Sequence, residues 1–276
     1  HLRVNGWWCL PRMARGPRVA RRCGSRARSR YGVSSGRLNN TRTTARSDDV
    51  PAILFDLDGT LIDSVPDIAA ALNKVLVAED EAPLSNADVA ALVGAGARTL
   101  VERAFAPSAV TRNSDAIDAL FQDFLRHYDA EPCERTVLYP EALRCLVELK
   151  KKGAKLGIVT NKPDALTIQI LTDLKLIQLF DAVVGASDLR PLKPNRAMLD
   201  YAIKALGCKT ANGVFVGDSG ADVQAARAAQ IPVVLLTHGY TNANPEDLRA
   251  DAVLAGFDGL SAALADLLPN RIRWQP

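Results

Sequence analysis

The sequence predicts an α/β protein, a Rossmann-like, doubly wound and mostly parallel sheet interrupted by one all-helical insert. Two observations carry this reading. From about residue 137 onward, short apolar β-rich runs alternate with helical stretches of about 10–15 residues, the pattern of a parallel sheet covered on both faces. Between residues 66 and 136 that alternation stops, and only helical spacing remains.

The elements follow in order. Residues 51–55 form a short apolar run ending at Asp56, a buried strand. A helix starts near Asp63 and Ser64, with Pro66 in its first turn and Ile68, Leu72, Val75 and Leu76 on one face. The insert offers three more helices. Residues 85–92 carry Val89 and Leu92, with Val93 just beyond, residues 97–105 carry Leu100, Val101, Ala104 and Phe105, and residues 113–127 carry Ile117, Leu120, Phe121, Phe124 and Leu125. With the preceding helix they make a small bundle. The α/β pattern then resumes with a helix at 141–151, a strand at 155–160, a helix at 163–174 and a strand at 181–184. A helix at 195–206, a strand at 213–216, a helix at 221–229, strands at 232–236 and 251–254 and a last helix at 260–268 complete it. The predicted organisation is a basic leader at 1–48, an α/β domain from 49–65 and 137–276, and a helical domain at 66–136.

Composition narrows the class. At 276 residues, 48% hydrophobic and 24% charged, the chain can bury a core without disulfide staples. Its five cysteines (Cys9, Cys23, Cys133, Cys145 and Cys208) are scattered and never form C-x-x-C, which fits neither a disulfide framework nor a zinc site and predicts a reducing cytoplasm. No apolar run approaches the roughly 18–20 residues of a membrane span, so no membrane partner is expected.

The net charge of +3 conceals two different regions. Residues 1–48 hold twelve arginines against the single acid Asp48, a net +11, which leaves 22 basic residues against 30 acids, a net −8, in the remainder. The leader shows no hydrophobic periodicity and is expected to lack order. Four readings of it stand open: an organelle transit peptide, a nucleic-acid-binding arm, an overextended gene start or cloning remnant (the chain begins without Met, and Met13 lies inside), and a tail without function.

Chemistry in a parallel sheet gathers outside the carboxyl ends of its strands. Here those ends bring Asp56, Asp58 and Thr60 from the first strand, Thr160, Asn161 and Lys162 from the second, Lys193 and Pro194 past the third, and Asp218, Ser219 and Asp222 from the fourth. Asp56, Asp58 and Asp218 are expected as three close carboxylates. Such a group repels itself unless a cation joins it, and hard oxygen ligands suit Mg²⁺. Each residue also has a plainer use. Thr160 could cap the helix near Pro163, Lys193 could be an exposed turn lysine, and Asp218 or Asp222 could serve only as a helix cap.

The run from Phe55 to Ser64, with Thr160-Asn161, Lys193-Pro194 and Gly217-Asp218-Ser219 followed by Asp222, resembles the haloacid dehalogenase superfamily. It is most similar to the phosphoglycolate phosphatases, and the match runs from about Val50 to Leu268 without the leader. The resemblance implies a HAD-like core with an inserted helical cap, and a Mg²⁺-dependent phosphomonoester hydrolase whose substrate is a small phosphorylated metabolite, 2-phosphoglycolate. It implies Asp56 as the nucleophile that forms an aspartyl-phosphate, and Asp58 as the acid–base group. It implies a metal held by the Asp56 carboxylate, the Asp58 carbonyl and the Asp218 carboxylate, with Asp222 acting through a water. Thr160, Asn161 and Lys193 would bind the phosphoryl group, and Arg98, after the glycine-containing stretch from Gly94 to Gly96, would reach the substrate.

Three departures from the family pattern put the substrate at issue: Ala95 where Asn is frequent, a Tyr139-Pro140-Glu141 segment without the usual following Gly, and Asn195-Arg196 after Lys193-Pro194. A phosphomutase resembling β-phosphoglucomutase is the enzymatic alternative, and nucleic-acid binding through the leader is the non-enzymatic one. A dehalogenase is disfavoured, because Asp58 supplies an acid–base group that dehalogenation does not need. A monomer or homodimer is expected.

Overall fold

The computed structural model describes residues 50–108 and 111–268. The readings placed on the leader at 1–48 therefore lie outside the described residues. In chain order the elements are β1 (Ala52–Phe55), β2 (Ile62–Asp63), α1 (Val65–Ala78), α2 (Asn86–Ala90), α3 (Ala97–Phe105), α4 (Ser114–Ala130), β3 (Val137–Leu138), α5 (Ala142–Lys151) and β4 (Lys155–Pro163). They continue with α6 (Asp164–Asp173), β5 (Ala182–Ala186), α7 (Ala197–Ala205), β6 (Gly213–Gly217), α8 (Gly220–Ala229), β7 (Val233–Leu236), α9 (Pro245–Leu248), β8 (Ala252–Leu254) and α10 (Leu260–Leu267).

Six strands pair in parallel in the order β5-β4-β1-β6-β7-β8. The residues of β1 explain the double winding. Side chains alternate across a strand, so Ile53 and Phe55 enter one hydrophobic layer while Ala52 and Leu54 enter the other. The first layer is completed by Leu146 and Leu149 of α5, Ile170 of α6 and Leu264 of α10. The second is completed by Met198 and Ile203 of α7 and Ala226 of α8. All four β1 residues are fully buried. β1 also lies between β4 and β6, and the chain reverses its winding there. That is the switch point at which an open α/β sheet forms its crevice.

Helices α1 to α4 form one packed group: α1 packs against α2 and α4, and α3 packs against α4. Ser85 starts α2 with a reciprocal cap to Asp88, and the Asn113 side chain accepts from the Ala116 N–H to start α4. α2 stops at Ala90, short of the predicted 92. α4 runs on to Ala130, three residues past the predicted end.

Two elements escape the sequence pattern. β2 and β3 form a two-stranded antiparallel ribbon, Ile62 opposite Leu138 and Asp63 opposite Val137, too short to show alternation. The four-residue α9 is likewise too short to show periodicity. β4 is longer than predicted, because an irregularity between Val159 and Pro163 lets the strand continue to pair with β5 beyond the end of its apolar run. Asn161 and Lys162, expected just past the strand's end, thus sit inside it with Thr160.

Beside the ribbon, Asp67 of α1 ties the outgoing chain to the returning one. Its carboxylate is 3% exposed and accepts from the backbone N–H of Arg135 (2.9 Å), the backbone N–H of Thr136 (2.8 Å) and the Thr136 hydroxyl (2.7 Å). Asp67→Ala strands those donors, each worth about 1–3 kcal/mol when left unpaired and buried. Urea unfolding should therefore show a loss of at least about 2 kcal/mol; an unchanged midpoint would mean that water replaces the carboxylate without penalty.

Candidate active site

Asp56 directly follows β1, and its N–H donates to the Val216 carbonyl of β6 at 2.9 Å, which fixes it at the sheet rim. Asp218 and Asp222 come from the turn after β6 and the first turn of α8. One oxygen from each of Asp56, Asp218 and Asp222 lies within 4.8 Å of the others, and all three residues are buried. The carboxylate trio expected as Asp56, Asp58 and Asp218 is thus assembled with Asp222 in the place of Asp58. The reason is that Asp58 has its own partners: its carboxylate accepts from Ser64 Oγ at 2.5 Å and from Lys162 Nζ at 3.0 and 3.2 Å.

Two members of the trio, Asp222 and Asp218, are held by the residues around them. Asp222 closes a capping box with Ser219, accepting from the Ser219 hydroxyl at 2.6 Å and the Ser219 N–H at 3.0 Å. Asp218 accepts from Thr60 Oγ1 at 2.8 Å and from the Tyr240 N–H at 2.9 Å. Gly59, at φ +84°, and Gly239 are packed so closely on the Asp218 carboxylate that a Cβ on either would overlap it. Tyr240 also uses its hydroxyl, 2.8 Å from both the Ser64 N–H and Asp63 Oδ1, to bind the turn that opens α1.

Lys193, 4% exposed, is far from the exposed turn lysine of its plainer reading. Its Nζ lies 2.7 Å from Asp222 Oδ1 and 2.8 Å from Asp56 Oδ1. Burial alone would depress its proton affinity, but Asp222 and Asp56 outweigh burial and raise it. Asp56 Oδ1 meets Lys193 at ion-pair distance but off the hydrogen-bonding direction, and is left as a buried oxygen with spare acceptor capacity.

Charge decides what the cluster can hold. Three carboxylates face one ammonium, so full ionisation leaves two negative charges unmatched. Burial pushes Asp56 up to about 7, with Lys193 pulling down and Asp222 pushing up. Burial, then Asp222 and Asp56, raises Asp218 well above the ordinary carboxylate range. Oxygen donors, a two-charge deficit and an unfilled Asp56 oxygen fit a hard divalent cation.

Thr160, 2% exposed, lines the cavity beside Asp56; its hydroxyl accepts from the Lys162 N–H at 3.2 Å and makes no cap to α6. The Asn161 side chain is a strut. It donates to the Gly94 carbonyl (2.9 Å) and the Lys193 carbonyl (3.0 Å) and accepts from the Lys193 N–H (2.9 Å), so only its backbone remains for an anion. Arg98 does not line the cavity. It pairs with Glu102 one turn along α3 and with Asp118 of α4, and donates to Ser114 Oγ. In this structure the guanidinium expected to reach substrate is held by acids at i+4 and on the neighbouring helix.

Sequence reasoning missed Tyr128, Tyr240 and Ser64, and left Lys162 without a role. Tyr128 sits four residues after Phe124 and reads as core. Tyr240 follows the carboxyl end of β7, and the rule that located the other residues, applied to one more strand, would have found it.

The comparisons agree with this geometry. The family model of haloacid dehalogenase-like hydrolases matches residues 53–236. A phosphoglycolate phosphatase of Rhodospirillum rubrum is 41% identical over 213 residues, covering 76% of this chain and 88% of its own. That of Caulobacter vibrioides is 40% identical over 219 residues, covering 79% and 92%. The crystal structure of a predicted phosphoglycolate phosphatase from Haemophilus somnus superposes with a TM-score of 0.72 at 32% identity, covering 78% of this chain and 97% of that one. The chain belongs to the haloacid dehalogenase-like hydrolase family.

Two measurements test the cluster. Folding raises the proton affinity of Asp56 and Asp218, so without a cation the cluster costs stability as pH climbs from the ordinary carboxylate range toward about 7. A cation must displace those protons, so the rise in Tm produced by Mg²⁺ should be larger near pH ~8 than near pH ~5.5. Equal shifts would place binding elsewhere. In Gly239→Ala the new methyl group meets Asp218, and Mg²⁺ affinity read from the same Tm titration should fall at least about tenfold.

Proposed function

We propose that this chain is a phosphatase that hydrolyses a small phosphate ester, 2-phosphoglycolate, through an aspartyl-phosphate on Asp56. The observation that carries the reading is the buried set of Asp56, Asp218, Asp222 and Lys193 at the sheet's switch point. The substrate is taken from the activity by which the Rhodospirillum and Caulobacter relatives are named.

Asp56 attacks phosphorus, which divides one difficult hydrolysis into two easier steps. Lys193 holds Asp56 in place and lowers the repulsion between its carboxylate and the incoming phosphate. The Thr160 hydroxyl and the backbone N–H groups of Leu57 and Asn161 receive phosphoryl oxygens. Asp58, oriented by Ser64 and Lys162, gives its proton to the leaving oxygen and later takes one from the attacking water. Asp56, Asp218 and the Asp58 carbonyl would hold Mg²⁺, with Asp222 supporting them. When bound it supplies the positive charge that lets two anions approach.

The helical segment 66–136 acts as a cap over the α/β domain formed by 49–65 and 137–276. The strut from Asn161 to Gly94 and the contact of Lys162 with Tyr128 support this, since both join the sheet rim to the helical segment. Closure excludes water while Asp56 attacks. Among the described residues, Cys133, Cys145 and Cys208 are free thiols, which supports a cytoplasmic setting, and no described helix is long and apolar enough to cross a membrane.

Asp56→Asn keeps the shape and removes the nucleophile, so kcat should fall at least about a thousandfold. Wild-type turnover by this variant would end the mechanism. The wild type should release inorganic phosphate from 2-phosphoglycolate; an isomerised sugar phosphate without phosphate release would instead favour the mutase.

A further inference from the structure

The cavity at the sheet rim has polar residues that the proposed chemistry leaves only partly used. Its floor is Asp56, Asp58, Thr160 and Asn161, and Leu100 and Phe124 of α3 and α4 make part of its apolar wall. Among the described residues that line it, Lys162 is the only lysine or arginine. Lys193 is committed to Asp56 and Asp222, and Arg98 to the acids of α3 and α4.

Lys162 is held in an uncommon way for a lysine. Its side chain is 3% exposed, and a buried ammonium is tolerated only when it is paired. Nζ donates to both oxygens of Asp58 and to the Tyr128 hydroxyl at 2.6 Å, and stands 4.5 Å from the centre of the Tyr128 ring. The Tyr128 hydroxyl accepts from Lys162 and keeps its own hydrogen for another acceptor, since burial and the nearby Asp58 oppose ionisation of the phenol. An ammonium and a phenol hydrogen thus stand side by side in a cavity whose other walls are largely apolar. A ligand anion entering there would find these donors next to the group that serves its leaving oxygen. The three ammonium hydrogens meet the two Asp58 oxygens and Tyr128, so a ligand carboxylate would take over one of the two Asp58 contacts, which a freely rotating ammonium permits and a planar guanidinium fork does not.

We infer that Lys162 and the Tyr128 hydroxyl form a subsite for a carboxylate carried on the same small skeleton as the phosphate, so that the protein selects phosphorylated acids over neutral phosphate esters of equal size. This deepens the phosphatase reading and rests on it. The role expected of Arg98 passes to a lysine from the sheet and a tyrosine from the helical segment.

The test compares kcat/KM for 2-phosphoglycolate and for 2-hydroxyethyl phosphate, in which a neutral hydroxymethyl replaces the carboxylate. Wild type should prefer the acid at least about tenfold, and Lys162→Met should reduce kcat/KM for the acid about 10- to 100-fold more than for the neutral ester, chiefly through KM. Lys162→Arg should restore part of the preference, and Tyr128→Phe should shrink it by a smaller factor, about three- to tenfold. Equal losses on both esters in Lys162→Met would make Lys162 a partner of Asp58 alone and overturn the inference. A wild type that hydrolyses both esters without preference overturns it too, whether or not the variants fold, and leaves the phosphatase reading standing. A wild type that hydrolyses neither overturns both.

Discussion

Everything at the rim is arranged around one shared ammonium. Lys193 is within 2.8 Å of both Asp56 and Asp222, and Asp218 completes a trio whose oxygens lie within 4.8 Å of each other. At that separation two unit charges repel by about 3–4 kcal/mol even at an effective dielectric constant near ~20. Side chains left to themselves would rotate apart or stay protonated. The chain limits rotation of two of the three: a capping box holds Asp222, the Tyr240 N–H holds Asp218, and two glycines without side chains make room for Asp218. Rigidity here is a requirement set by electrostatics.

That requirement explains why Asp56 and Asp58, two residues apart, belong to different networks. Asp56 faces Lys193, whereas Asp58 faces Ser64 and Lys162. A nucleophile must be ionised to attack, and a general acid must be able to carry a proton. Each carboxylate has its own lysine, and both line one cavity. Lys162 extends the second network to Tyr128 of α4, so the group proposed to serve the leaving oxygen is tied to the helical segment as well as to the sheet.

Much of this was legible in the chain. The strands of the sheet and the residues at their carboxyl ends could be read because an apolar run stops abruptly at a polar residue, as Phe55 gives way to Asp56 and Val216 to Gly217 and Asp218. The tertiary rule that strand ends converge then did the rest. Where the local signal is missing, the reading fails. The β2–β3 ribbon has two residues per strand, and the end of β4 lies beyond its apolar run and is held by an irregular register. The exchange of Asp58 for Asp222 in the carboxylate trio could not be read either, since side-chain direction within a turn depends on partners as distant in sequence as Lys162.

The helical segment shows where pattern reading stops, and why. Periodicity identifies which face of α3 and α4 is apolar, but a helix can turn about its own axis or slide along its neighbour without changing that pattern. The position of a polar residue relative to the sheet is therefore set by packing. Arg98 looked available because it follows a glycine-containing turn, yet Glu102 stands one turn further on and already offers a local partner. Tyr128 lies one residue past the predicted end of its helix and continues the stripe of Phe124, yet its hydroxyl meets a buried lysine from β4. A helical arginine with an acid at i+4 is poor evidence for a ligand contact, whereas a tyrosine at the border of an apolar stripe brings a hydroxyl that must find a polar partner once buried. By that criterion the inferred carboxylate subsite falls on α4 rather than at the start of α3, and it is reached through the residue that follows Thr160 and Asn161 on the sheet.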